Sequence, residues 1–519
     1  MTAANGNNDT SETVDLARAE VPLAIALDIG SSSVRSMAFD RRGRAISVAT
    51  SQQEYELDTT IEGQATIDAN VALQMASRCL DETHRAIATE SLPVAAAGIS
   101  SFWHSLLGID KNGEPCTPVY HLADNRSADI VDELRDTLDE SAWRLVTGTV
   151  FHSSYWPAKL LWLKRHTQHD LSTVARWTSV AGYVSEQLLG TQTTSLCMAS
   201  GTGMCGVATG QWVAELAEVS GISMDSLPTI VDRDVAAFPL TDAAKRWPRF
   251  ATASWFPALG DGACANVGCG SIDRRRIALT LGTTGAMRVL DHSPTGVEVT
   301  HHTGLWTYRL DADTVIHGAA ITNGGSWFDF IRDIMCDTED ELLDDAFSLP
   351  PGAHGLTVLP FLAGERAPIW NDRARAVIAG LSPGTSRAEI ARAGLEAVAH
   401  RLALLYQDTT PAAETNHQVI ANGAALLRSP GLQQMVADAL EHELVTLPAS
   451  LEASARGAAI CALESADVID NIGDLDDLVP SSPSVAPDNQ QSHIYRQERQ
   501  RQEQLRRLLY PGPSTWDQP

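Results

Sequence analysis

Leu23-Ala24-Ile25-Ala26-Leu27-Asp28-Ile29-Gly30-Ser31-Ser32-Ser33-Val34-Arg35-Ser36-Met37-Ala38-Phe39 is the stretch on which the fold turns. An apolar run, Leu23–Leu27, ends in a turn of Gly and Ser, and a second run from Val34 to Phe39 follows it. Two short runs around such a turn read as a β-hairpin. The same grammar returns in the second half of the chain. There Ile277–Leu281 runs into Gly282-Thr283-Thr284-Gly285 and then Ala286–Leu290. The two segments are not similar enough to prove duplication, but they point to two lobes of related design.

The surrounding sequence supplies what two large lobes need. With 519 residues, 44% hydrophobic and 20% charged, the composition is that of a soluble globular protein with cores large enough to stand without disulfides. Acidic residues number 65 against 38 basic ones, a net charge of −27, which argues against nucleic acid or an anionic membrane as partner. The eight cysteines (79, 116, 197, 205, 264, 269, 336, 461) form no CxxC pair and read as free thiols of a reducing cytoplasm. Residues 1–20 are polar and acidic, without the basic and apolar regions of a signal peptide, and are expected to be a disordered tail, with order beginning near Val21. No apolar run approaches the roughly 18 residues of a membrane span.

Helical signals alternate with these strands, which favours an α/β fold. Trp156–His166 reads as a core-facing helix, whereas Thr193–Cys205, rich in small polar residues, reads as loop or tight strand. Ser386 and Glu389 have capping-box spacing, and Ala391, Leu395, Val398, Leu402 and Leu405 continue as one apolar stripe. Ser429-Pro430 opens another helix, and Glu452–Leu463 is a third. Asp474–Asn489 reads as a loop. Tyr495–Leu509 reads as a charged helix anchored by Leu505, Leu508 and Leu509, and the closing PGPSTWDQP as disordered.

Several kinds of chemistry lack their motif: HExxH, GxSxG and GxxxxGK[ST] are all absent, and the only adjacent histidines are His301-His302. The two Gly/Ser/Thr turns can instead gather backbone N–H groups and hydroxyls around an anion. Asp28, at the end of its strand, could hold Mg²⁺ through water. Each turn alone is more often only a turn. Asp261 lies between Gly260 and Gly262, and flanking glycines let a ligand approach the backbone. A carboxylate there could accept a hydroxyl proton, although spacing alone favours a helix cap. Gly423-Ala424-Ala425 before the Ser429 helix is either a nucleotide platform or a generic strand-to-helix connection. Phe102-Trp103-His104-Ser105 could line a polyol pocket, although a lone Trp-His pair is more often core.

Taken in order, LDIGSSSVRSMAFD, LGTTGAMRVL, ITNGGSW, GERAPIWNDRARAVIAGL and NGAALLRSPGLQQMVADAL resemble the FGGY carbohydrate kinases from about Leu23 to Leu509. Ala376–Glu396 fits that family's carboxy-terminal signature and departs from it at Gly394. The resemblance implies two actin-like, ribonuclease H-like lobes with mixed sheets flanked by helices and a cleft between them. By position it implies an amino-terminal lobe over 21–270, a carboxy-terminal lobe over 271–480, and a loop, helix and tail over 481–519. It implies ATP held by Asp28, Gly30, Ser31, Ser32 and Ser33 with Mg²⁺ at Asp28, and by Gly282, Thr283, Thr284 and Gly285. Thr322, Gly324, Gly325, Gly423, Ala424 and Gln433 fall where further nucleotide contacts are expected. Ala424 stands where a glycine is usual. Asp261 matches the family's catalytic aspartate.

Ser101–Ser105 and Phe151–Tyr155 look like the gluconokinase-type members, and Leu122-Ala123-Asp124-Asn125-Arg126 departs from the usual Trp-x-Asp-x-Arg at Leu122. Trp103, His104, Arg126, His152, Tyr155 and Asp261 are thus the expected substrate residues. A sugar acid would want a cation or strong donor near its carboxylate, for which Arg126, His104 and His152 are candidates, with Lys159 behind them. The expected reaction is ATP-dependent phosphorylation of D-gluconate to 6-phosphogluconate in the cytoplasm. The alternatives are a xylulokinase or other pentulose or polyol kinase, and a non-catalytic actin-like binding protein. The expected partner is a small sugar or sugar acid, and a homodimer is allowed.

Overall fold

The computed structural model describes residues 13–88, 91–166, 169–236, 246–292, 304–335, 341–479 and 483–511. Residues 1–12, His301, His302, Cys336 and the closing 512–519 lie outside them. The opening hairpin forms as its sequence dictates. β1 (Thr13–Val14), β2 (Leu23–Ile29), β3 (Ser33–Phe39), β4 (Ala45–Glu54), β5 (Val94–Ser101), β6 (Ser254–Trp255) and β7 (Leu259–Gly260) build one seven-stranded sheet. Its order is β1-β4-β3-β2-β5-β6, with β7 also paired to β5. β2 and β3 are antiparallel with Asp28 opposite Arg35, while β2 and β5 run parallel. All seven residues of β2 are buried, as befits a central strand covered on both faces.

β8 (Arg276–Leu281), β9 (Gly285–His292), β10 (Trp306–Arg309), β11 (Thr314–Ile321), β12 (Gln418–Asn422), β13 (Leu444–Thr446) and β14 (Ser484–Val485) build the second sheet, in the order β10-β11-β9-β8-β12-β13-β14. Here β8 pairs antiparallel with its hairpin partner β9 and parallel with the later strand β12, repeating the relation of β2 to β3 and β5. Two mixed sheets of one design thus face each other, with each hairpin turn at the mouth of the cleft.

The helices that position the site are α1 (Ala69–Ile87), α2 (Asp261–Gly268), α3 (Gly325–Met335), α4 (Arg387–Thr409), α5 (Pro430–Leu440), α6 (Ala453–Ser465) and α7 (Asn489–Leu509). α1 covers β3 and β4. α6, late in the chain, packs on α2 and across β2 and β5 of the first sheet. The approach is so close that a Cβ at Gly457 would sit 1.8 Å from the Cys264 carbonyl oxygen, and one at Gly98 would sit 2.1 Å from that of Ala458. The Ser386–Glu389 capping box of α4 is present, and the Ser429 hydroxyl accepts from the Leu432 N–H to start α5. Gly394 has a packing cause: a Cβ there would lie 1.8 Å from Trp327 Nε1.

Three expectations need correction. Residues 13–20 are not all tail, because Thr13 and Val14 pair in parallel with Ala45 and Ile46 and Val14 is buried. Leu196–Ser200, within the stretch read as loop or strand, is a short helix started by the Ser195 hydroxyl, which accepts from the Met198 N–H. The last helix begins at Asn489 rather than Tyr495, because the Asp488 carboxylate caps it. Of its three leucines only Leu505 packs on the core, against Leu359, Phe361 and Ala374, whereas Leu508 is 77% exposed and Leu509 is exposed as well. Polar groups hold it too: Gln502 donates to the Val358 and Ala397 carbonyls at 2.8 and 3.2 Å, and Arg392 donates to the Tyr495 hydroxyl at 2.9 Å. Buried bonds of this kind stabilise by about 1 kcal/mol each.

Candidate active site

A cavity of about 650 Å³ opens between the two sheets. Ser31 and Ser32 enter it from one hairpin tip, Thr283 and Thr284 from the other, and Asp261 lies on its wall. Both tips are tight turns in which the backbone closes on itself: the Gly30 N–H donates to the Ser33 carbonyl at 2.8 Å and the Gly282 N–H to the Thr284 carbonyl at 3.0 Å. The exposed residues at each apex can turn hydroxyls and amides toward a phosphate. A larger cavity of about 860 Å³ holds neither turn, and its Arg233 is already engaged by Asp311 and Glu464.

Asp261 begins α2 but caps nothing. Its Oδ1 accepts from the N–H of Gly262 at 2.7 Å, and no side-chain cap exists at this helix. Burial lifts its carboxyl to a pKa of about 6; Arg288 pulls it down, Asp28 pushes it up, the Gly262 N–H pulls it down, and Arg366 does so least. A carboxylate so poised is ionised near neutral pH yet still basic enough to take a hydroxyl proton.

The flanking glycines serve a purpose different from the ligand approach read from sequence. A Cβ at Gly260 would lie 1.9 Å from Trp103 Cε2, and one at Gly262 would lie 2.6 Å from Arg288 Nε. They let an indole and a guanidinium press on the start of α2. Trp103 is fixed further by its Nε1–H, which donates to the Cys197 carbonyl at 3.1 Å.

Asp28 is buried behind this wall, with Oδ1 lacking any hydrogen-bond partner and Arg35 Nε 3.9 Å from Oδ2. Burial raises its carboxyl above the usual range, opposed by Arg35 and by the nearby Ser100 hydroxyl. An orphaned, buried carboxylate oxygen beside the Gly30–Ser33 turn fits Mg²⁺, which takes one or two carboxylates and keeps its waters and phosphate oxygens. Among the described residues, no group of three or more His, Cys, Asp or Glu side chains gathers into a protein-only metal cage.

The remaining nucleotide candidates sort into two groups. Thr322 lines the cavity, and its N–H donates to Glu365 Oε1 at 3.4 Å. The N–H groups of Gly324 and Gly325 are spent on the carbonyls of Thr283 and Gly282, at 2.9 and 2.7 Å, so this turn braces the Gly282 turn. Gly423, Ala424 and Gln433 do not line the cavity. Gly423, at φ 95°, lies where a Cβ would meet the Leu281 backbone oxygen at 2.6 Å, and Gln433 donates to the Leu426 and Leu427 carbonyls. Ala425 sits against Gly325, where a Cβ would lie 3.3 Å from the Ala425 Cβ.

Of the expected substrate residues, Trp103, His104 and His152 line the cavity. Tyr155 stands one layer back, edge-on to His104, with its hydroxyl 2.7 Å from that of Tyr308. Arg126 is not a cavity residue: Asp124 takes its Nε and Nη2 at 3.0 and 2.5 Å, Gln64 takes Nη1, and its guanidinium stacks on Trp162. Lys159 is spent on the His104 and His121 carbonyls at 2.8 Å each, and burial lowers its pKa to about 7. His104, at φ 70°, carries its proton on Nδ1, because Gly201 O at 2.6 Å can only accept. Burial holds its pKa well below the ordinary value, with Arg366 opposing the charge further. It is a neutral imidazole, not a cation.

The residues missed from sequence come mostly from the carboxy-terminal half. Arg288, Trp306, Tyr308, Arg366 and Asp372 all line the cavity. Arg288 had a signal, since Thr284, Ala286 and Arg288 alternate on one face of β9. Asp372 crosses between the halves: it accepts from Ser153 N–H and hydroxyl at 3.2 and 2.8 Å, and its Oδ1 is 2.9 Å from His152 Nε2. Burial alone would push this carboxyl up, but His152 and the Ser153 donors more than offset it and hold it at about 2.

Comparison with known proteins agrees with this geometry. Residues 23–268 match the FGGY family of carbohydrate kinases, N-terminal domain, and residues 277–466 its C-terminal domain. A gluconokinase of Bacillus subtilis (strain 168) is 26% identical over 91% of this chain and 93% of its own length. A ligand-bound xylulose kinase and a gluconate kinase, both from Lactobacillus acidophilus, superpose with TM-scores of 0.85 and 0.84. Each is 24% identical and covers 95% of this chain and 99% of its own. Among the described residues, no helix is long and apolar enough to cross a membrane. Two lobes of one design, two hairpin turns that line one cavity and a family match that spans both place the protein as a carbohydrate phosphotransferase: the chain belongs to the FGGY family of carbohydrate kinases.

Proposed function

We propose that the chain transfers the γ-phosphoryl group of ATP to the terminal hydroxyl of a small sugar acid, D-gluconate giving 6-phosphogluconate, with Asp261 as general base. The observation that carries this reading is the meeting of Asp261, Ser31-Ser32 and Thr283-Thr284 in one cavity. Gly282, Thr283, Thr284 and Gly285 on one side, and Gly30 to Ser33 on the other, hold the phosphates in line with the hydroxyl. Mg²⁺, with Asp28 as its protein ligand, would neutralise phosphate charge during transfer. Asp261 orients the hydroxyl and takes its proton as the oxygen bonds to Pγ and the bond to ADP breaks. Trp103, His104 and His152 shape the sugar end, and Asp372 ties that end to the second lobe.

Gluconate is favoured by the likeness to the gluconokinase and gluconate kinase above and by a cavity that presents two guanidinium groups. A second reading, a pentulose or polyol kinase, rests on the equal structural likeness to a xylulose kinase. A non-catalytic binding protein has no use for a carboxylate poised as Asp261 is. A coupled ADP assay with gluconate, xylulose, ribulose, glycerol and erythritol tests the choice. Gluconate should give the highest kcat/KM, and a tenfold preference for any neutral substrate overturns the gluconate assignment.

A further inference from the structure

Arg288 and Arg366 enter the cavity from different elements of the carboxy-terminal half, β9 and the loop after Leu362. Neither is neutralised. Among the described residues Arg288 donates only to the Thr280 hydroxyl, at a long 3.3 Å, and Arg366 reaches His104 Nε2, also at 3.3 Å. The Nε–H of each is buried and without a partner. Among the described residues no carboxylate ion-pairs with either, although Asp261 is near enough to Arg288 for each to shift the other. Two guanidinium groups beside one cavity repel each other, and a buried, unmade charged donor is costly. That arrangement persists where an anion completes it.

The surroundings hold both groups ready. Arg366 meets a histidine fixed as an acceptor, because the Gly201 carbonyl occupies its Nδ1 proton, and lies 5.9 Å from the centroid of Trp370. The adjoining Glu365 points away from the cavity, to Arg401 and the Thr322 N–H. Arg288 and Trp103 share the space over Gly262, each 2.6 Å from where a Cβ would sit, and Arg288 lies across Gly318, where a Cβ would come 3.1 Å from its Cγ. The two other cations that sequence offered for this task are consumed, Arg126 by Asp124 and Lys159 by backbone carbonyls.

Resting on the sugar-acid reading, we propose that Arg288 and Arg366 together form the subsite that binds the substrate's carboxylate and so determine specificity for an aldonate over neutral sugars. Planar guanidinium groups pair with a carboxylate through parallel N–H donors, which a neutral hydroxymethyl or keto group cannot satisfy. The two are not equivalent. Arg288 lies over Gly262, beside Asp261, whereas Arg366 lies at His104, away from that carboxylate, and reads the end of the substrate farther from the transferred phosphate.

The test is the ratio of kcat/KM for D-gluconate to that for D-glucitol and D-xylulose, in wild type, Arg288→Met and Arg366→Met. Methionine keeps the stem and removes the donors. Taking the ratio cancels any loss of folded protein. Loss of a charged hydrogen bond predicts a fall in the ratio of about 10- to 100-fold per variant, chiefly through KM for gluconate. A KM for ATP that rises in step, with the ratio unmoved, gives the pair to phosphate and overturns the proposal. A wild type that prefers gluconate, with the ratio unchanged in both variants, overturns this inference alone. A wild type that prefers the neutral substrates overturns the sugar-acid reading and this inference with it.

Discussion

Replacing Asp261 by asparagine should disable the enzyme and stabilise its fold, and the pH dependence of that gain follows from the site. The carboxyl titrates at about 6 in the folded protein, against about 3.9 in an unfolded chain. A raised folded pKa means that the folded state holds the proton more tightly. This favours the fold below pH ~4 and is lost as the pH rises through 6. At pH 8 the ionised Asp261 therefore costs stability, at most about 3 kcal/mol from a two-unit shift. Asp261 keeps partial contact with the cavity, so screening trims the figure to about 1–3 kcal/mol. An amide carries no charge and escapes that cost. Asp261→Asn should thus melt higher than wild type at pH 8, by about 1–4 °C, and the difference should shrink toward pH 5. Sugar-dependent turnover should fall about 10²- to 10⁴-fold, the usual contribution of a general base. Melting curves at pH 5 and 8 beside a coupled assay measure both. A variant that turns over gluconate normally, or one that is less stable than wild type at pH 8, refutes the reasoning.

Two further outcomes follow from the same charges. Arg288→Met removes the strongest restraint on Asp261, so the acid limb of kcat/KM, expected near 6 in wild type, should move up by about 1–2 pH units; a limb that stays in place shows that Arg288 does not act on Asp261. Asp372→Ala strips the acceptor from the Ser153 amide and hydroxyl and from His152, which should loosen the two halves by about 2–4 kcal/mol and enlarge the radius of gyration in X-ray scattering. Because Asp372 is held at about 2, the contribution of its own ionisation is complete above pH ~4 and is lost only as the pH falls through 2.

The two hairpins were legible because their information is local. An apolar run long enough for a strand, a turn of residues without bulky side chains and a second run leave the chain few other conformations. The capping box at Ser386 and the cap at Ser429 were legible for the same reason. β1 was not, because two residues paired to a strand thirty positions away leave no period to read. α7 misled in another way: of the leucines that suggested an apolar anchor only Leu505 packs inward, and Gln502, Tyr495 and Glu503 add polar partners contributed by distant segments.

The site divides along the same line. Asp261 stood out because glycines flank it, yet the purpose of those glycines is set by Trp103, more than 150 positions earlier in the chain. Arg126 looked available because a sequence shows a charge and not its partner, although Asp124, two residues before it, was the partner. Arg288 was within reach of the sequence, since alternate residues counted along β9 from Thr284 share one face and Arg288 falls among them. Arg366 was not, since the loop that carries it has no period, and its direction is set by His104 and Trp370 together. Charge therefore reaches this cavity by a route that residue type alone does not reveal. The arginine nearest the substrate motifs in sequence is neutralised, and the two that remain unpaired arrive from the opposite lobe. If those two bind the carboxylate, the sugar end of the site is complete only when both lobes contribute, with Trp103 and Asp261 from one half and Arg288 and Arg366 from the other. A sugar acid then bridges the cleft that it must close, whereas water, with no carboxylate to offer, does not.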